Sequence, residues 1–272
     1  MIVQQNGILW AVLWLVSCSA GVSTAGIAGA DDGSSEKLGT AKTADTVTYR
    51  ATAEYDSRTM HGWQLMVAPD LLTDTRLADR VFAELERQLV AISQVVPPEP
   101  LAKLRKITIW VEKEEGHHPC MAYHPDRRWL IEHDMNPDKA RCVEIANARN
   151  FIGWTKDQPW MVLHELAHGY HDQFLPGGYG NRELRERFER AKAQGKYEKV
   201  AYVRGGEKRA YALNNPMEFF AENSEALFGR NDFFPFNRAD LESFDPETFA
   251  LLCKLWELPA DKPCADENAV SR

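Results

Sequence analysis

Between positions 74 and 95 the apolar residues Leu77, Val81, Leu85 and Leu89 recur every four positions, which predicts a long amphipathic helix. Val96-Pro97-Pro98 ends it, because a residue before proline is pushed out of the helical region. Short stretches of strand character flank it at 46–51, 63–67 and 106–111. The last alternates polar and β-favouring apolar residues, as a strand with one buried face does. Residues 116–141, rich in His, Pro and Asp, read as a long loop, and Cys142-Val143-Glu144-Ile145 as a further strand. From there the pattern turns helical, over 158–174, 181–192, 216–228 and 246–258. Strands early and helices late predict an α+β domain, a small mixed sheet with helices packed over it and a mostly helical C-terminal half.

Composition narrows this further. The 272 residues are long enough for a substantial core, and one domain is expected over 47–272. With 32 Lys+Arg against 40 Asp+Glu the net charge is −8, and no basic stripe offsets it, so no nucleic-acid partner is expected. Residues 1–30 carry no Asp, Glu, Lys or Arg, and 8–16 (ILWAVLWLV) are apolar, followed by small residues up to Ala28-Gly29-Ala30. This is the layout of an export signal peptide, without the usual positive charge ahead of the apolar run. That run is shorter than the ~20 residues a membrane-spanning helix needs. Residues 31–46 (DDGSSEKLGTAKTADT) read as a flexible linker. The expectation is a secreted or periplasmic monomer. Because Leu15-Val16-Ser17-Cys18 resembles a bacterial lipobox, the alternative is a lipoprotein held at the membrane through Cys18. The remaining Cys120, Cys142, Cys253 and Cys264 suit an oxidising compartment, with the sequence-local disulfides Cys120–Cys142 and Cys253–Cys264 favoured over four free thiols.

The chemistry concentrates in WMVLHELAHGYHD, residues 160–172. On a helix His164 and His168 stand about 6 Å apart along the axis and about 40° apart around it. Two imidazoles so placed can share one zinc ion. Glu165, next to the first of them, is positioned to take a proton from a metal-activated water. His171 lies about 10 Å along the axis from His164, too far to join the same ion on a straight helix, and reads as a supporting or structural group.

Asn214-Asn215-Pro216-Met217-Glu218 opens the next helix, with Asn215 as N-cap and Pro216 in the first turn. Glu218 and Glu222 share a face, with Glu225 near the same line, and aligned acids repel unless something positive is close. A zinc ion on two neutral imidazoles is such a partner, with Glu218 as third ligand and a fourth position open to water. Alternatively, Glu218 at the third helical position simply completes a capping box with Asn215.

HELAH followed by YALNNPMEFFAE resembles the catalytic domain of anthrax lethal factor and its lethal-factor-like relatives, over roughly residues 158–228. These are zincin-like zinc peptidases of the gluzincin type. The resemblance implies that His164, His168 and Glu218 hold Zn2+ and that Glu165 is the general base. It further implies that Tyr211 faces the reacting centre and that Glu222 braces a histidine ligand. Ala167 before the second histidine and Tyr170-His171 after it depart from the toxin pattern, so its substrate preference does not transfer. The expected activity is hydrolysis of peptide bonds in a peptide or protein substrate. The alternative is a non-catalytic exported zinc-binding protein on a peptidase scaffold, against which the intact Glu165 argues. His117, His118, His124 and His133 cluster around Cys120, at spacings that match no standard ligand set and suit a polar surface loop better than a second metal site.

Overall fold

The computed structural model describes residues 49–258. The expected signal peptide, the linker, Cys18 and Cys264 lie outside the described residues.

A hairpin of β1 (Asp56–Met60) and β2 (Trp63–Val67) is followed by α1 (Pro69–Thr73), α2 (Thr75–Val95) and α3 (Pro98–Leu104). Then come β3 (Ile109–Val111), β4 (Met121–Tyr123), α4 (Arg127–Glu132), β5 (Val143–Ile145) and α5 (Ala148–Trp154). These strands form one mixed sheet in the order β1-β2-β3-β5-β4. The inner strands β2, β3 and β5 run parallel, and each edge strand is antiparallel to its neighbour. The rest of the chain is α6 (Met161–Phe174), α7 (Arg182–Gln194), a small pair β6 (Val200–Ala201) and β7 (Glu207–Lys208), α8 (Pro216–Phe228), α9 (Arg238–Phe244) and α10 (Pro246–Leu255). The protein is α+β, with its helices concentrated in the C-terminal half. Among the described residues no helix is long and apolar enough to cross a membrane.

Side chains alternate across the sheet. Leu65, Val67, Ile109, Val111, Val143 and Ile145 belong to one core with the apolar stripe of α2 and with Leu163, Leu166 and Tyr170 of α6. Met66, Trp110 and Glu144 occupy the alternate positions. This second face is covered too, so β3 is buried at all three residues rather than on one side. Tyr55 stands edge-on to Trp110, with ring centroids 4.7 Å apart, and the Lys139 ammonium bridges the carboxylates of Glu112 and Glu144.

Three expectations need correction. Residues 116–141 are not one loop: they contain β4, too short to show a period, and α4, capped by the Asp126 side chain accepting from the N–H groups of Arg128 and Trp129. Residues 49–51 form no strand and lead into a 3-10 turn, Thr52–Glu54. Cys120 and Cys142 are unbonded. The register of β4 on β5 pairs Met121 with Ile145 and Tyr123 with Val143, which leaves the two cysteines about four residues, roughly 13 Å, out of step. A disulfide spans no more than about 7 Å between Cα atoms. The Cys120 thiol meets Met161 Sδ at 3.5 Å instead.

Gly169 lets α6 lie close to the sheet: a Cβ there would stand 2.6 Å from Ile107 Cδ1 and 3.0 Å from Tyr123 Cε2. Gly169→Ala is therefore expected to destabilise the fold by about 1–3 kcal/mol, despite the better helix propensity of alanine. Urea unfolding measures this, and a variant as stable as the parent would show that the helix–sheet contact has slack.

Candidate metal centre

Two helices build the site, α6 and α8, running antiparallel. Gln88 of α2 starts α6, its Oε1 accepting the N–H of Val162 at 3.0 Å. Asp157, just ahead of this helix, instead accepts from Arg204, whose Nε donates to it at 2.9 Å. Where α8 ends, a Cβ on Gly229 would overlap the Trp160 ring, 1.8 Å from its nearest carbon. Near the other end Tyr170 of α6 and Phe220 of α8 both stack on Trp256, with centroids 4.3 and 5.5 Å away. The Trp256 indole N–H donates to Ser224 Oγ at 2.9 Å, and the Tyr170 hydroxyl to the Leu255 carbonyl at 3.1 Å. Anchored at both ends, the helices have little freedom to rotate against each other.

Between these anchors the side chains converge. Glu218 Oε2 lies 3.1 Å from His164 Nε2 and 3.3 Å from His168 Nε2. All three ligand atoms fall within 4.8 Å of one another. Nitrogen and oxygen ligands about 2.0–2.1 Å from a tetrahedral zinc stand roughly 3.3–3.4 Å apart, so the spacing suits that ion. Asn215 does cap α8, its Oδ1 accepting the Glu218 N–H at 2.8 Å, but the Glu218 carboxylate turns to the imidazoles rather than closing a capping box.

His164 is held from behind. Its Nδ1 lies 2.7 Å from Glu225 Oε1 and 3.8 Å from Glu222 Oε1. When Nδ1–H donates to Glu225, the other nitrogen presents a bare lone pair to the Glu218 carboxylate. Two acceptors at that distance require either a second proton on the ring or a cation between them. Consistently, burial lowers the His164 pKa but hydrogen bonds and charge from Glu218 and Glu225 outweigh it and drive it well above the ordinary value. Burial raises Glu218, yet the charge and hydrogen bonds of His168 and His164 carry it well below the usual carboxylate range. Behind them burial pushes Glu222 and Glu225 upward and Asp232 to about 7, with mutual repulsion adding to it. The cluster favours an ionised Glu218 and shifts its deeper acids toward protonation.

Glu165 follows His164 on α6, and its Oε2 accepts the backbone N–H of Tyr123 at 2.9 Å. Tyr211, in a 3-10 turn (Tyr211–Leu213) just before α8, has its phenol raised by burial and then by the charges of Glu218, Glu165 and Glu222. Tyr179 is raised the same way, with Glu218 and Glu165 among its charged neighbours. His171 is fully buried between Tyr179 and Phe220, with centroids at 4.9 and 5.3 Å, and neither nitrogen has a hydrogen bond of ordinary geometry. His168 Nδ1 is likewise buried without a partner.

The structure thus brings together His164, His168, Glu218, Glu165 and Tyr211, sets His171 one turn further along α6, and puts Glu225 nearer to the histidine than Glu222. Glu225 was visible in the sequence as a third acid on that helix face. Tyr179 and the Tyr123 N–H carried no signal, since both reach the site through turns and strand pairing.

Two outcomes follow from this geometry. Glu225→Gln should weaken zinc affinity by roughly 10–100-fold, with Glu222→Gln doing less. Competition with a chelating dye measures both, and the reverse order would return the bracing role to Glu222. His171, lowered by burial to about 3 from 6.5, favours the fold above pH 6.5 and costs stability as pH falls, because the unfolded chain takes up a proton that the folded one refuses. His171→Phe should flatten the decline of unfolding free energy between pH 6 and 4 by up to about 1.4 kcal/mol per pH unit. Parallel curves for variant and parent would remove His171 as the cause. Comparison with protein-family models, with curated proteins and with solved structures finds no match for the chain.

Proposed function

We propose that the protein is a zinc metallopeptidase, zincin-like and of the gluzincin type, with His164, His168 and Glu218 as the metal's protein ligands. The single observation that carries this reading is the convergence of two imidazole nitrogens and one carboxylate oxygen at 3.1 and 3.3 Å, beside a carboxylate already held in place. Three protein ligands are the complement of a catalytic zinc, whereas structural sites use four. The donors fit: neutral imidazoles and an ionised carboxylate, with Glu225 bracing one ring from its far side. Bound here, zinc supplies a Lewis acid and a water acidic enough to ionise near neutral pH.

The chain's own groups do the rest. Glu165 accepts the water's proton and returns it to the departing amine. Its Oε2 is held by the Tyr123 N–H, which orients the carboxylate and leaves the other oxygen to carry the proton. The Tyr211 phenol, kept protonated by burial, donates to the oxygen on which negative charge develops. β4 is an edge of the five-stranded sheet, and an extended substrate laid along it would bring a peptide carbonyl to Glu165. The apolar run at 8–16, read as an export signal, would deliver this activity outside the cytoplasm.

The test is turnover of an unstructured protein substrate. Chelation should abolish it and added Zn2+ restore it. Glu165→Gln should keep one zinc per chain and lose roughly 10²–10⁴-fold in turnover. Tyr211→Phe should lose about 10²–10³-fold in kcat with little change in KM. Full turnover by Glu165→Gln, or none by the zinc-loaded parent on any peptide, would sink the reading.

A further inference from the structure

On the opposite face of the sheet the loop histidines regroup. His124, directly after β4, is fully buried, and its Nε2 lies 2.6 Å from Glu144 Oε2. Glu144 is fully buried on β5 and meets the Lys139 ammonium with its other carboxylate oxygen. The Nε2–H of His124 therefore donates to a carboxylate, which leaves Nδ1 as a bare lone pair. Among the described residues, that buried Nδ1 meets no hydrogen-bond partner. His118, 93% buried, stands beside it with ring centroids 5.1 Å apart, and its Nε2 is also buried without a partner.

Two adjacent buried imidazoles, each with an unmatched nitrogen, are costly unless something sits with them, at about 1–3 kcal/mol for each unsatisfied group. We propose that His118 and His124 form a second metal site, for a first-row divalent cation of the copper–zinc type, on the face of the sheet away from α6. The pair resembles the first centre in its essentials: imidazole rings 5.1 Å apart against 4.8 Å for His164 and His168, and a carboxylate on the far nitrogen of one ring. Imidazole is the ligand such ions take, and the carboxylate behind it fixes the tautomer that exposes the lone pair. Lys139 adds positive charge nearby, but it is matched by the two carboxylates it bridges, Glu112 and Glu144. With two protein nitrogens instead of three ligands, this site should fill after the first.

Trp129 of α4 reports on it, its ring 5.8 Å from His118 and stacked at 3.9 Å on His133. Full-length protein stripped by chelator is titrated with Cu2+ while tryptophan emission is followed, and bound copper is counted by elemental analysis. The expected result is two tight ions per chain and a quenching step that Trp129→Phe removes. His118→Ala should shift that step at least about tenfold to higher Cu2+, since losing a ligand costs no less than losing its brace. His133→Ala should leave the step in place, and His168→Ala should remove only the other ion. Far-UV circular dichroism checks that the His118 variant folds. Should it not, crystals of the copper-soaked parent decide, through an anomalous peak between His118 and His124. A quenching step equal in the parent and a folded His118→Ala, a step lost with His133 instead, or a trapped water with no anomalous signal between the two rings would each overturn the site.

Discussion

Glu218 Oε2 sits between the Nε2 atoms of two histidines from the facing helix, and the α6–α8 contact is organised around the positive charge this arrangement demands. Three further carboxyls, Glu222, Glu225 and Asp232, are buried behind His164. Unpaired charges in such surroundings would cost several kcal/mol each, and burial accordingly shifts these deeper acids upward while Glu218 is shifted downward by the imidazoles. Glu218 aims its negative charge at two imidazoles. A proton on His164 satisfies it in part; a divalent cation satisfies it and both nitrogens together. The aromatic stack of Tyr170, Phe220 and Trp256 contributes apolar contact on the same interface and holds the helices in register whether or not the charge is met.

The sheet supplies the second constraint. Its central strands are parallel and short, and strands of that kind are usually covered on both faces. Here the first face takes the apolar stripes of α2 and α6, while the second takes a charged network of Glu112, Glu144, Lys139 and Arg50, roofed by Tyr55. β4 joins the two. The N–H of Tyr123 points outward to Glu165, and His124, the next residue, lies against Glu144 on the second face. Strand alternation alone thus assigns neighbouring residues to different chemistry.

Much of this was legible in the sequence where periodicity runs long. Leu77 to Leu89 located α2, and Asn215-Pro216 marked the start of α8 at the right residue. The relation of His164, Glu165 and His168 follows from helix geometry alone, as does the shared face of Glu218 and its neighbours. Legibility failed where three-residue strands carry no period, which hid β4 inside a supposed loop. It failed again where partners are distant in sequence. Gln88 starts α6 from 74 residues away, and no local motif announces it. The disulfide expected between Cys120 and Cys142 came from sequence nearness, yet antiparallel pairing separates residues near in sequence unless they face each other across the ladder. The pairing of Glu144 with Lys139, five residues earlier, was not legible because the 3-10 turn Pro137–Lys139 that folds the lysine back carries no period.

His164 and His168 of α6 are not equivalent, and the difference bears on how the proposed site would work. His164 is gripped on its Nδ1 by Glu225, so its tautomer and ring plane are set by the protein before any ion arrives. His168 has no such partner, and its orientation rests on Glu218 and on whatever sits between them. On the proposed metal reading, His164 would be preorganised and His168 settled by binding. Glu165, the residue after the gripped histidine, inherits that rigidity, and the Tyr123 N–H adds a second hold from the sheet. On the proposed reading, in which Glu165 would receive and release a proton at a fixed point, attachment to the stiff side of the site would matter most, since small misplacements of a catalytic group cost large factors in rate.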